Sequence, residues 1–378
     1  MKSKLQIPNS KFQTNKTKFQ SIRSKAGNRK SEIRNRKSEI RNRKSEIRNP
    51  KFLHFLEYDP VYVHNPRAPY AVLPAPYERT VSFGRGTARA PAAILAASAH
   101  IEPFDEELFQ PLDLGVQTLP AVDCRRGTDA QVLESIRRAA ADVMQRGQFL
   151  LTLGGEHTIT APLVAAARTM CGDLTVLHFD AHLDLRDRYT GTPLSHGCVM
   201  RRVMELGTPI VSVGIRSVCA EEYQLVKQRR LPVFWARDIV QARSEAWMKT
   251  VLARLGKRVY ISIDIDCLDP ALMPGTGTPE PGGLGWYALI EILRRVCAAR
   301  RVVAADLVEV APVPGTPACE YIAARLAAKL LLYHRVAGGK ANIDVSGEAF
   351  AKTEHPTPGS AKALRPGESN AQRRIKKR

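Results

Sequence analysis

The chain has 378 residues, 44% of them apolar, enough to bury a sizeable core as one large α/β domain or two small ones. Its formal net charge of +20 points to a nucleic-acid partner only until it is divided along the chain. Residues 1–51 hold 17 Lys and Arg against three Glu, residues 336–378 hold nine against four acids, and residues 52–335 are close to neutral with 31 against 30. No apolar run approaches the 18 or so residues of a membrane span, and no apolar stretch followed by small residues marks a secretory leader. Seven cysteines stand singly, with no CxxC, the pattern of reduced thiols in a cytoplasmic protein.

In chain order, the segment RKSEIRN occurs three times without a break, at 29–35, 36–42 and 43–49. One Ile per seven residues cannot form a coiled-coil seam. The low hydrophobicity and high charge predict a disordered basic arm over 1–51. Ala71–Leu73 reads as a first strand, followed by a Gly-containing loop and a helix near Ala92–Ala99. Gln131–Arg146 is predicted helical, with Val132, Ile136 and Val143 at helical spacing. Strands follow at Phe149–Leu153, Leu174–Phe179, Ile210–Val213, Val233–Trp235, Val259–Ile263 and Val302–Leu307, and Glu320–Leu332 supplies the last helix. Alternating strands and helices predict a mainly parallel sheet covered on both faces. A catalytic domain is expected over 52–335, and a disordered basic tail over 336–378.

Four of these strands run into polar residues at their carboxyl ends. Phe149–Leu153 leads to GGEHT and His157. Leu174–Phe179 leads to DAHLD, with Asp180, His182 and Asp184. Val259–Ile263 leads to Asp264 and Asp266, and Val302–Leu307 leads to Glu309. In an open parallel sheet the ligand crevice lies outside the carboxyl ends of the strands, so the four segments converge. Alternate positions in DAHLD project to one side if the chain stays extended. Four aspartates in one pocket repel one another unless cations sit between them. Six such ligands exceed what one open-sited ion needs and suit two ions sharing carboxylates. Oxygen-rich ligation with a few imidazoles favours manganese over zinc. His196, in SHGC, suits a proton shuttle because imidazole titrates near neutrality.

GGEHT, FDAHLD, SHGCVMRR and SIDIDCLDPALMPGTGTPEPGGL, in this order, resemble the arginase–agmatinase (ureohydrolase) family over about Tyr70 to Leu332, with details leaning toward bacterial agmatinases. The resemblance implies a three-layer αβα fold, a homo-oligomer and two Mn²⁺ ions per subunit. It assigns His157, Asp180, Asp184 and Asp264 to one ion, and Asp180, His182, Asp264 and Asp266 to the other, with Asp180 and Asp264 shared. Glu309 matches the family's guanidinium-binding glutamate, and a histidine is expected near His196. The implied reaction is hydrolysis of agmatine to putrescine and urea, a step in polyamine biosynthesis. N(1)-aminopropylagmatine, guanidinobutyrate and arginine are the alternative substrates. Ala311-Pro312 stands where many relatives have Asn-Pro, which bears on the substrate and not on the chemistry. A one-zinc deacetylase sharing the fold is disfavoured by the second set of ligands. A nucleic-acid-binding protein acting through its basic arm is disfavoured by the near-neutral centre and by the lack of interleaved aromatic and basic residues. His178 and His100 are read as structural.

Overall fold

A computed structural model describes residues 53–56 and 67–338 of the chain. The basic arm expected over 1–51 and all but the first residues of the tail expected over 336–378 lie outside the described residues. Strand β1 (Tyr70–Ala75) and helix α1 (Ala90–Ser98) come first, followed by a small antiparallel pair, β2 (Phe104–Asp105) and β3 (Gln110–Pro111). Then come β4 (Val116–Thr118), α2 (Asp129–Gln145), β5 (Phe149–Gly154), α3 (Thr160–Cys171), β6 (Thr175–Phe179) and α4 (Val199–Glu205). The remainder comprises β7 (Ile210–Ile215), α5 (Ala220–Arg229), β8 (Val233–Trp235), α6 (Ala236–Val240), α7 (Ala246–Arg254), β9 (Arg258–Asp264), α8 (Trp286–Ala299), β10 (Arg301–Val308) and α9 (Ala318–Val336).

Eight strands form one sheet in the order β4-β1-β5-β10-β9-β6-β7-β8, with every pairing parallel. Successive side chains of a strand face opposite sides, and the core divides accordingly. Leu150, Ala71 and Leu73 pack with Val132, Ile136, Leu163 and Val203 of α2, α3 and α4. Leu151, Leu153 and Val72 pack with Ile94, Val251, Leu293 and Leu330 of α1, α7, α8 and α9. The result is the expected three-layer αβα arrangement. Helices cover both sides of the sheet, which is why the strands are apolar on both faces.

Helix α2 starts where its sequence dictates. Thr128 Oγ1 accepts the Gln131 N–H at 3.3 Å, and the Gln131 side chain accepts the Thr128 N–H at 2.8 Å, closing a capping box. Strands β2, β3 and β4 escape the sequence reading because they are only two or three residues long and, unlike the equally short β8 (VFW), are not continuous apolar runs; pairing with β1 is what makes β4 a strand. No helix among the described residues is long and apolar enough to cross a membrane.

Candidate metal centre

The four central strands, β5, β10, β9 and β6, are neighbours in the sheet, and the polar segments at their carboxyl ends meet. Register fixes the meeting: Val308 pairs with Asp264 and Phe179 with Ile263, so the residues that follow β6, β9 and β10 emerge at one level. Strand β5 ends at Gly154, and Gly155 follows it. A Cβ on Gly155 would lie 2.0 Å from the Tyr77 carbonyl oxygen. Only glycine permits the close pass that lets Gly155 N–H donate to Ala75 O and Gly155 O accept from Glu309 N–H.

His157 follows directly and is fully buried. Its Nδ1 lies 3.2 Å from Asp180 Oδ2, 3.2 Å from Asp184 Oδ2 and 3.3 Å from Asp264 Oδ2, yet it has no hydrogen-bond partner. The other ring nitrogen explains why. Ser262 Oγ donates to Asp306 Oδ1 at 2.8 Å, so it accepts from His157 Nε2 at 2.9 Å. Nε2 therefore carries a proton, and Nδ1 is the atom turned to the three carboxylate oxygens: without a cation they draw a proton onto it and shift the ring well up from its ordinary value, and with one it offers a lone pair. A lone pair and three anionic oxygens around one point fit a cation.

A second cluster adjoins the first. His182 Nδ1 lies 3.0 Å from Asp266 Oδ2 and 3.4 Å from Asp180 Oδ1. The ligand atoms of Asp180, His182 and Asp266 group closely enough to hold an ion, and Asp180 offers one oxygen to each cluster. Backbone amides orient the carboxylates: Asp180 Oδ1 accepts from His182 N–H at 2.6 Å, Asp264 Oδ1 from Asp266 N–H at 2.9 Å and Asp266 Oδ1 from Ala181 N–H at 3.0 Å. His178, read as structural, sits 2.8 Å from Asp180 Oδ2 and 3.1 Å from Ser212 Oγ. It holds the carboxylate from behind the site.

The charge state fits the same picture. Burial, then repulsion from Asp266 and Asp180, pushes the Asp264 carboxyl well above its usual range. Burial and Asp180 raise Asp266. Burial would raise Asp180 as well, but the imidazoles of His178, His157 and His182 hold it well below. Burial would lower His182, yet Asp180 and Asp266 push it up to about 12. Four aspartates crowded this way match the four positive charges of two divalent cations.

Asp184, Asp264, Asp266, His182, His196 and Glu309 all line one cavity of about 280 Å³, with His157 and Asp180 beneath its floor. Glu309 is oriented by the His157 N–H, which donates to Oε1 at 2.7 Å. Burial and the neighbouring Glu156 hold its carboxyl well above the ordinary range. His196 is half-buried at the wall: Thr80 Oγ1 lies 3.3 Å from Nδ1, and Ser82 Oγ lies 3.3 Å from Nε2. Asp184 and Glu309 have φ of 53° and 62°, left-handed values that cost roughly 1–3 kcal/mol each for such residues and cluster at functional sites.

Several supporting residues are absent from the sequence reading. Glu156 is buried and accepts from Arg79 N–H, Thr80 N–H, Thr80 Oγ1 and Thr158 Oγ1 at 2.6–2.7 Å, which fixes the loop that carries Thr80 to His196. Asp306 accepts from Tyr260, Ser262 and Thr160. Its signal was there, as a charge inside the apolar run VVAADLV. The Pro/Gly-rich segment after Asp266 does shape the rim, with Gly277, Thr278 and Glu280 on the cavity lining. A Cβ on Gly84 would lie 2.8 Å from Gly277 O, where the two loops are joined by a 3.0 Å backbone hydrogen bond.

A family model described as the Arginase family matches residues 68–334. The chain is 41% identical over 275 residues to the N(1)-aminopropylagmatine ureohydrolase of Synechocystis sp., a match spanning 70% of this chain and 89% of that protein. It is 37% identical over 248 residues to the agmatinase of Bacillus anthracis, spanning 63% and 82%. Among solved structures it resembles the agmatine ureohydrolase of Thermoplasma volcanium, with a TM-score of 0.66 and 28% identity over 77% of this chain and 97% of that one.

Proposed function

The chain is a ureohydrolase of the arginase family, and on that premise we propose that it holds two Mn²⁺ ions and hydrolyses a guanidino amine, N(1)-aminopropylagmatine ahead of agmatine, to urea and the free polyamine. The observation that carries the two-ion reading is the bare His157 Nδ1 facing three carboxylate oxygens beside the Asp180–His182–Asp266 cluster. His157, Asp180, Asp184 and Asp264 would hold one ion; Asp180, His182, Asp264 and Asp266 would hold the other. When bound, the ions lower the pKa of water toward neutrality and supply the nucleophile for the guanidinium carbon.

The chain's own groups account for the remaining roles. Glu309 keeps Oε1 on the His157 N–H and accepts guanidinium N–H groups with Oε2, a charge-assisted contact. Burial and the neighbouring Glu156 push its pKa up and disfavour the anion, and the substrate cation supplies a charge that favours it. His196 gives a proton to the departing amine. Hydroxyls face both of its ring nitrogens and can donate or accept, so the ring changes protonation without losing partners.

The order of substrates follows the relatives. Agmatine is the first expectation from the sequence, but the relative at 41% identity acts on N(1)-aminopropylagmatine and the agmatinase stands at 37%. A second reading, a guanidino acid, has one observation in its favour: Arg186 lines the cavity, although its guanidinium lies over the Tyr189 ring at 4.8 Å. The nucleic-acid reading gains no support from the matched family. Seven free thiols support a cytoplasmic setting. Exposed Phe104 and Phe109 at the β2–β3 pair support a homo-oligomer that covers them. Urea release from N(1)-aminopropylagmatine, agmatine, guanidinobutyrate and arginine with Mn²⁺ tests the substrate. The first is expected to have the highest kcat/KM, and a preference for guanidinobutyrate or arginine would overturn the assignment.

A further inference from the structure

A guanidino amine carries positive charge at both ends, and Glu309 meets only one. Six carboxylates line the cavity: Asp184, Asp264, Asp266, Glu309, Glu222 and Glu280. The first four are taken by the centre and the guanidinium. Glu222 is buried, with both oxygens spent on backbone: Oε1 accepts from Leu185 N–H at 2.9 Å and Oε2 from Cys219 N–H at 3.1 Å. Glu280 differs. Its Oε1 accepts from Ser217 Oγ at 3.1 Å, and among the described residues Oε2 accepts no hydrogen bond.

Glu280 is also held in place relative to the centre. Arg216 Nη2 donates to Glu280 O at 2.7 Å and to Asp266 O at 2.7 Å, and Arg216 Nε reaches Glu280 O at 3.2 Å and Pro281 O at 3.1 Å. One guanidinium thus straps the Pro/Gly-rich rim to the backbone of a candidate ligand. Ser217, which orients the carboxylate, pairs with His182 across an isolated bridge. A half-satisfied carboxylate on a fixed strap, facing a cavity that admits a cation, is a preorganised ammonium acceptor.

Resting on the guanidino-amine reading above, we propose that Glu280 is the specificity residue that accepts the ammonium N–H groups at the substrate's far end. It thereby selects guanidino polyamines over uncharged alkylguanidines and guanidino acids. The uncharged compounds leave its carboxylate desolvated without a partner, and the acids set like charges against each other.

The test compares wild type, Glu280→Gln and Glu280→Asp on N(1)-aminopropylagmatine, agmatine, butylguanidine and guanidinobutyrate, with Mn²⁺ content measured for each protein. Glu280→Gln is expected to keep its metal and to lose about tenfold or more in kcat/KM on the two amines, mainly through KM. Butylguanidine should stay within about twofold, guanidinobutyrate should rise, and Glu280→Asp should recover part of the loss on the amines. Unchanged kinetics on the amines would overturn the assignment. So would an equal fall on butylguanidine, which would mark a purely structural strap. A wild type that prefers guanidinobutyrate overturns the substrate reading itself, before any variant is compared.

Discussion

Glu309 and His157 show how much of the account rests on single atoms. Glu309→Gln preserves volume and the hydrogen bond from His157 N–H but removes the charge. Metal content should be unchanged, and kcat/KM should fall at least about tenfold, since a charge-assisted hydrogen bond contributes roughly 1.5–3 kcal/mol; loss of metal instead would make Glu309 a ligand. Ser262→Ala acts one bond further out. Without the Ser262 oxygen, His157 Nε2 has no acceptor at 2.9 Å, the tautomer is no longer fixed, and Mn²⁺ affinity should weaken about 10–100-fold. Activity should return at high Mn²⁺, and titration of activity against metal checks it. Seven of the eight proposed site residues stand at or just beyond the ends of buried apolar strands, where acids and histidines are rare without a partner, and His196 was singled out by its SHGC segment. Glu156, Ser262 and Glu280 were not legible as supports, because each acts through a partner far off in sequence that the fold brings near, and Asp306 showed only as a charge inside an apolar run.

At the scale of elements, the strands were legible from apolar runs and the order of layers from their alternation with helices. The β2–β3 pair was not, because its role comes from what lies against it. Lys329 of α9 is buried, with Nζ 2.7 Å from Asp105 Oδ2 and 3.1 Å from Glu107 Oε2. Tyr333 also donates to Glu107. The hairpin thus serves as the counter-ion of the last helix. Burial would raise the Asp105 carboxyl, but the Lys329 ammonium and the Leu108 N–H outweigh it and hold the pKa below its ordinary value. A depressed carboxylate contributes stability above its unfolded pKa of about 3.9 and loses it as pH falls through the folded value. Asp105→Asn should therefore cost about 3 kcal/mol at neutral pH, the lower range for a buried ion deprived of a partner. The deficit should hold down to about pH 5 and shrink below pH 4, as read by urea denaturation of both proteins across that range. A deficit independent of pH would show that packing, not charge, is lost.

For the whole molecule, the +20 charge is a poor guide to function because it is carried by the ends: residues 52–335 hold 31 basic and 30 acidic side chains. Every residue on the cavity lining lies between Val81 and Glu309. Deleting residues 1–51 should therefore leave kcat and KM unchanged, and a truncated protein that is soluble but inactive would give the arm a part in catalysis. The proposed dinuclear centre and the release of urea from a guanidinium stand or fall together. The most direct measurement is urea release from N(1)-aminopropylagmatine by metal-stripped protein reloaded with Mn²⁺ or Zn²⁺, with bound metal counted per chain and Asp264→Ala alongside. The expected result is two Mn²⁺ per chain, activity restored by Mn²⁺ above Zn²⁺, and neither metal nor turnover in Asp264→Ala. Full activity with one ion per chain, or an Asp264→Ala protein that still releases urea, would contradict it.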